Sequence, residues 1–207
     1  MVRRTKAEAA LTREKLLDAA ENVFLARGVA NATLEQIATE AGLTRGALYW
    51  HFKNKAEIFH AMLDRVRLPF QELIDELDEA DRREHPARAI RLACQEGLKR
   101  LEQPRYHRVH SILIYHSGGL SELDSLAMQE EIANESCGML TEYFQAVAQQ
   151  GQLRADISPE TAARLLQSTL GGVFHDWLRH PQEYSIRERG MEMVDTLLHL
   201  LCTTELP

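Results

Sequence analysis

The sequence has no uncharged run long enough to cross a membrane. Its longest stretch without Asp, Glu, Lys or Arg is Val109 to Ser121, well short of the ~20 residues a spanning helix needs. The opening MVRRTKAEAA is basic with no apolar segment behind it, so no secretory signal is expected. Cysteine is scarce: Cys94, Cys137 and Cys202 are scattered and form no disulfide framework. That fits a reducing compartment, and a cytoplasmic protein is expected. Catalytic signatures are missing too. There is no glycine-rich phosphate loop, no Ser or Cys in a recognisable nucleophile motif, and His175-Asp176 is an isolated pair. His107 and His110 share a helix face, but His116 lies nine positions beyond His107, about half a turn round the helix. No third metal ligand is in register, so neither an enzyme nor a metal or cofactor site is expected. Cys94 and Cys137 read as small buried hydrophobes rather than redox sensors.

What remains is a chain of 207 residues, 44% apolar and 27% charged, the profile of a soluble globular protein of one domain or two small ones. The net charge of −7 hides an asymmetry. Residues 1–55 carry nine Lys/Arg against six acids, whereas residues 56–207 carry 15 against 25, and Lys99 is the sole lysine beyond Lys55. A basic head on an acidic body points the head toward a polyanion.

Helical spacing and helix caps recur along the chain, so the expected class is all-α with about nine helices. Thr33 with Gln36 and Asn54 with Glu57 make capping pairs, Thr44 can cap a short helix, and Ser158-Pro159 and Ser185 with Glu188 open the last two. The fourth helix is expected to run from Asn54 past Pro69 to Leu77. Pro69 lacks the N–H that would bond the Arg65 carbonyl, so it kinks or ends that helix. A basic arm (1–10) precedes a head (11–64) and a body (65–207).

Residues 33–52, TLEQIATEAGLTRGALYWHF, have the spacing of a helix-turn-helix, in which the second helix lies in the DNA major groove. Ala38 is small where the helices cross, and Gly42 permits the turn. Arg45 can read guanine O6/N7 bidentately, and Thr44 can bond a base or phosphate. Gly46 removes a side chain where backbone and DNA come close. Tyr49 offers a ring to a thymine methyl and a hydroxyl to phosphate. His51, Lys53 and Lys55 are candidate phosphate clamps, as is Thr33 at its helix N-terminus. Trp50 and Phe52 are read as core, wedging the third helix against the first and fourth. The alternative is an ordinary helical hairpin with the whole Tyr49–Phe52 cluster buried.

The run from Thr12 to Phe59, with G-x-x-x-x-T-x-x-x-I-A and Y-W-H-F-x-N-K elements, resembles the DNA-binding domain of the TetR family of bacterial repressors. MVRRTKAEA and TRGALYWHFKNK are closest to its AcrR/TtgR-like subgroup of multidrug efflux repressors. The resemblance implies an N-terminal three-helix DNA-binding domain and a C-terminal helical domain for ligand binding and dimerisation. It also implies a homodimer on a palindromic double-stranded DNA operator, released by a small hydrophobic or aromatic effector. The arm with Arg3, Arg4 and Lys6 can add minor-groove or phosphate contacts. The resemblance places the dimer interface on the last two helices, for which Leu165, Thr169, Val173, Val194, Leu197, Leu198 and Leu201 supply apolar stripes. It places an apolar pocket among Leu92, His110, Ile114, Cys137, Leu140, Phe144, Leu170, Phe174 and Trp177, although each of these singly suits the core as well. Two other readings stay open: a repressor of a metabolic or stress operon, and a helical ligand-binding dimer whose head docks protein.

Overall fold

The computed structural model describes residues 6–67, 70–119 and 124–203, the side chains of 70, 71 and 125 excepted. They form eleven α-helices and one π-helical segment: α1 Lys6–Arg27, α2 Leu34–Glu40, α3 Arg45–His51, α4 Lys55–Asp64, α5 Phe70–Asp75, α6 Glu79–Glu84, α7 Pro86–Leu101, α8 Pro104–Ser111, the π segment Ile112–His116, α9 Ser125–Gln149, α10 Pro159–Arg179 and α11 Ile186–Leu201. Among the described residues the extended pairing is an isolated antiparallel bridge, Leu153 with Cys202. None of the described helices is long and apolar enough to cross a membrane.

Two helices exceed the expected nine. The fourth does not run to Leu77: the Arg65 N–H bonds the Met62 carbonyl at 3.3 Å and the Val66 N–H bonds that of Leu63 at 3.0 Å, a tightening that ends α4. The kink expected at Pro69 lies outside the described residues. Asp78, missed as a cap, accepts from the N–H groups of Ala80 (3.0 Å) and Asp81 (3.1 Å) and opens α6. The expected helix over 105–115 is α8 followed by the π segment.

The chain forms two compact units, Met1–Arg67 with Arg105–Leu126 and Leu68–Pro104 with Ala127–Pro207. In the first, Leu16, Leu17, Phe24, Ile37, Leu48, Ile58, Phe59 and Met62 are fully buried. Inward residues of α1 recur one or two turns apart, which makes the stripe on which α2 and α4 close. α8 is held to α1 by charge. Glu21 is 0% exposed. Its carboxylate accepts from Arg65 Nη1 at 2.8 Å, and from Arg108 Nε and Nη2 at 2.9 and 2.8 Å. Asp18 accepts from Arg65 at 2.5 Å and Arg105 at 2.8 Å. The π segment is tied in as well, the His116 carbonyl accepting the Val29 N–H at 2.9 Å.

The second unit buries Ile74, Ile90, Leu140, Phe144, Val147, Leu166, Val194 and Leu198 in one core. α7 and α11 cross closely. A Cβ at Gly190 would sit 2.8 Å from a Leu98 methyl carbon. The same helices are joined by a bidentate pair, Arg91 with Asp195, at 2.7 and 3.0 Å. The three cysteines are buried and free, and burial pushes the Cys94 thiol up to about 12.

Candidate nucleic-acid interface

Local chemistry sets the helix-turn-helix. Thr33 Oγ1 accepts the Gln36 N–H at 3.1 Å while the Thr33 N–H donates to Gln36 Oε1 at 3.0 Å, a closed capping box. Gly42 takes φ +65° in the turn, a value that favours glycine, and Leu43 N–H bonds the Ala38 carbonyl at 2.9 Å. Thr44 Oγ1 then accepts the Ala47 N–H at 3.2 Å and opens α3. In both caps the threonine oxygen serves the helix, and its hydroxyl hydrogen is left to donate outward.

Only Leu48 anchors α3 in the core among its described residues. Arg45, Gly46, Tyr49 and Trp50 are exposed, and His51 is half-buried. The Arg45 guanidinium lies over the Tyr49 ring, 5.3 Å from its centroid, with Nη2 donating to Tyr49 Oη at 3.3 Å. Around Gly46 a Cβ would meet nothing nearer than Thr44 Oγ1 at 4.0 Å. The glycine therefore answers no crowding inside the chain.

Two sequence readings need correction. Trp50 is not a core wedge: it is 73% exposed, whereas Phe52 is 2% exposed and buried as expected. Two residues beyond Leu48, Trp50 points about 200° away from the buried face. Its ring meets that of His51 edge-on at 4.5 Å. It joins the presented face, and its place on a helix of only seven residues was the available signal. Lys55 is not a simple phosphate clamp. It is half-buried, and its Nζ donates to the carbonyls of Val29 (2.8 Å) and Ala30 (2.7 Å), holding the turn after α1. Lys53 is exposed, its N–H bonded to Glu57 Oε2 at 2.7 Å. In the arm, Lys6 is exposed at the start of α1, while Arg3 and Arg4 lie outside the described residues.

The residues expected at the dimer interface separate onto two faces. Val194, Leu198 and Leu201 are fully or almost fully buried in the protomer's own core, and Val173 is buried too. Their side chains face the protomer's own interior. Leu165 stays exposed and Thr169 and Leu197 half-exposed, joined by Met193 and Leu200, which the sequence reading passed over. Positions 193, 197 and 200 make one stripe of α11, and 194, 198 and 201 the next. α11 is apolar on both, so periodicity did not say which faces in.

Of the pocket candidates, Cys137, Leu140 and Phe144 belong to the core of the second unit, with Leu170 packed against it. Trp177 is buried, while Leu92 and Phe174 are half-buried. His110 and Ile114 fall in the first unit. His110 Nδ1–H donates to the Tyr106 carbonyl at 2.8 Å, and burial pushes its imidazole below the usual histidine range. Among the described residues no three His, Cys, Asp or Glu side chains gather as a metal would require.

A cap-defined helix-turn-helix that presents arginine and aromatics on a helix with one buried anchor, joined to a larger helical unit, defines a DNA-binding transcriptional regulator. Comparison with known proteins gives the family. Residues 16–62 match the model described as bacterial regulatory proteins, tetR family, and residues 86–203 that of the MAATS-type transcriptional repressor, C-terminal region. The chain belongs to the TetR family. It is 33% identical over 205 residues to the HTH-type transcriptional repressor BepR of Brucella suis, covering 97% of this chain and 96% of that protein. The crystal structure of NalD, the secondary repressor of the MexAB-OprM multidrug efflux pump in Pseudomonas aeruginosa, superposes with a TM-score of 0.82 at 32% identity, covering 96% and 99% of the two chains. A SmeT–triclosan complex superposes at 0.81 with 33% identity, covering 93% and 92%. The protein is thus a DNA-binding transcriptional repressor and not an enzyme.

Proposed function

We propose that the protein represses a multidrug efflux operon in the cytoplasm, binding a palindromic operator as a homodimer and leaving it when a small hydrophobic effector binds. The observation that carries this reading is the outward face of α3. There Arg45 reads a base, Tyr49, Trp50 and His51 meet sugar and phosphate, and Gly46 lets the backbone approach. Thr33, Thr44 and Lys53 add phosphate contacts, and Lys55 serves the site by fixing the Val29–Ala30 turn. The two α3 helices of the dimer are expected about 34–36 Å apart, one turn of DNA.

The partly exposed stripes Leu165, Thr169, Gly172 and Met193, Leu197, Leu200 support dimerisation through α10 and α11. A Cβ at Gly171 or Gly172 would meet nothing within 4 Å, which leaves room for a partner helix. The effector site is assigned to the second unit, where the partly accessible Leu92, Leu170 and Phe174 suit an apolar or aromatic molecule. The efflux assignment rests on the relatives: NalD represses such a pump, and SmeT was captured with triclosan.

Fluorescence anisotropy tests the proposal, using labelled DNA from upstream of the protein's own gene against excess random DNA. Selective binding that weakens steeply with salt, reversed by triclosan or a similar hydrophobic antimicrobial, is the expected result. Weak, non-selective binding with no response to these compounds contradicts it.

A further inference from the structure

We propose that Tyr49 is the positioning residue of the base-reading Arg45: ring and hydroxyl together hold the guanidinium on the outward face of α3 without neutralising it. The inference rests on the reading of Arg45 given above, and it goes beyond a phosphate contact by Tyr49 itself.

Arg45 and Tyr49 are one helical turn apart, so their side chains rise from the same face. The guanidinium carbon is 5.3 Å from the ring centroid, and Nη2 donates to the phenol oxygen at 3.3 Å. The neighbours on that face do not compete for it, and Glu35 of α2 attracts the guanidinium by charge alone, less than Tyr49 does. Gly46 has no side chain, and Thr44 Oγ1 is committed to the Ala47 N–H.

Other arginines are held differently. Arg65, Arg91, Arg100 and Arg108 each bond a carboxylate at 3.0 Å or less. Such a pair cancels the charge and fills the fork through which arginine recognises guanine or phosphate. A phenol takes one of the five guanidinium N–H groups, and the face of its ring takes none. The charge and most of the fork therefore stay directed outward. Arginine is also a long, rotamer-rich side chain whose ordering weakens any contact it makes. Resting on Tyr49 before DNA arrives, it has part of that ordering done. Tyr49 then acts on sequence choice through Arg45.

The test begins by selecting the preferred operator from random-sequence duplexes with the full-length protein. The base pair read by Arg45 is found as the one whose preference Arg45→Ala relaxes. The readout is the ratio of affinities for the selected duplex and for one with that base pair exchanged in both half-sites. Tyr49→Phe keeps the ring and loses the hydroxyl acceptor, and is expected to lower the ratio about 2-fold per half-site. Tyr49→Leu loses both, and is expected to lower it about 5-fold, the size of an exposed cation–π contact. In an Arg45→Ala background neither change alters the ratio further. Because both side chains are exposed, thermal melts report whether each variant is folded.

An unchanged ratio in both Tyr49 variants, with overall affinity falling alike on every duplex, makes Tyr49 a phosphate contact and overturns the inference. So does a ratio that still responds to Tyr49 when Arg45 is alanine. If Arg45→Ala relaxes no base pair, the reading of Arg45 fails and this inference falls with it. If it relaxes one while the Tyr49 variants do not, positioning alone fails.

Discussion

Glycine and arginine carry different meanings in α3 and in the α7–α11 pair. At Gly190 of α11 a Cβ would lie 2.8 and 2.9 Å from two Leu98 methyl carbons, so a larger residue at the α7–α11 crossing would push the buried Leu98 aside. At Gly46 of α3 the same atom would have room. Arg91 clasps Asp195 of α11 with both prongs of its fork, whereas Arg45 rests on a neutral ring. In the α7–α11 pair each unusual choice is explained by an atom of the same protomer. In α3 the described residues supply no such atom for Gly46. That difference is what supports the proposal of an outside partner at α3.

The comparison can be broken at graded points. The largest effect is expected from Glu21→Ala, which leaves Arg108 without its buried carboxylate partner and Arg65 with Asp18 and Glu14 at the surface alone. Breaking such a network costs about 3–5 kcal/mol, and a denaturant midpoint measures it; a loss below about 1 kcal/mol would mean the cluster is solvated. Arg45→Ala should reduce operator affinity by about 1–3 kcal/mol and relax one base position, with the melting temperature unmoved. Gly190→Ala should do the converse. Crowding Leu98 should cost about 1–3 kcal/mol of stability, and operator affinity of the folded fraction should hold. Lys55→Ala is expected to lower stability by roughly 1 kcal/mol, the net value of a buried hydrogen bond, and to weaken binding to all sequences alike.

Much of the fold could be read from the chain because it is punctuated by local chemistry. The caps at Thr33, Thr44, Asn54, Ser158 and Ser185 all form, each side chain accepting a backbone N–H of the first turn. A cap depends on three or four consecutive residues and needs no knowledge of the rest. Orientation is another matter. Trp50 looks like core by composition, yet which side of a seven-residue helix faces in is decided by Leu48, buried where α3 packs on α2. Lys55 looks like a phosphate ligand until the Val29–Ala30 turn, 25 residues away in sequence, comes within reach. In α11, with two adjacent apolar faces, periodicity alone was ambiguous. Elements were legible from neighbours in sequence; faces were set by neighbours in space.

The most direct test of that lesson is one variant measured twice. Gly46→Ala adds a single methyl group where the protomer has space and helix propensity favours alanine, so stability should rise by up to about 1 kcal/mol. The same methyl stands where DNA is to approach, so operator affinity should fall at least tenfold. A rise in melting temperature together with that loss of binding supports an α3 shaped by an outside partner. Unchanged operator affinity, or a fall in stability, contradicts it.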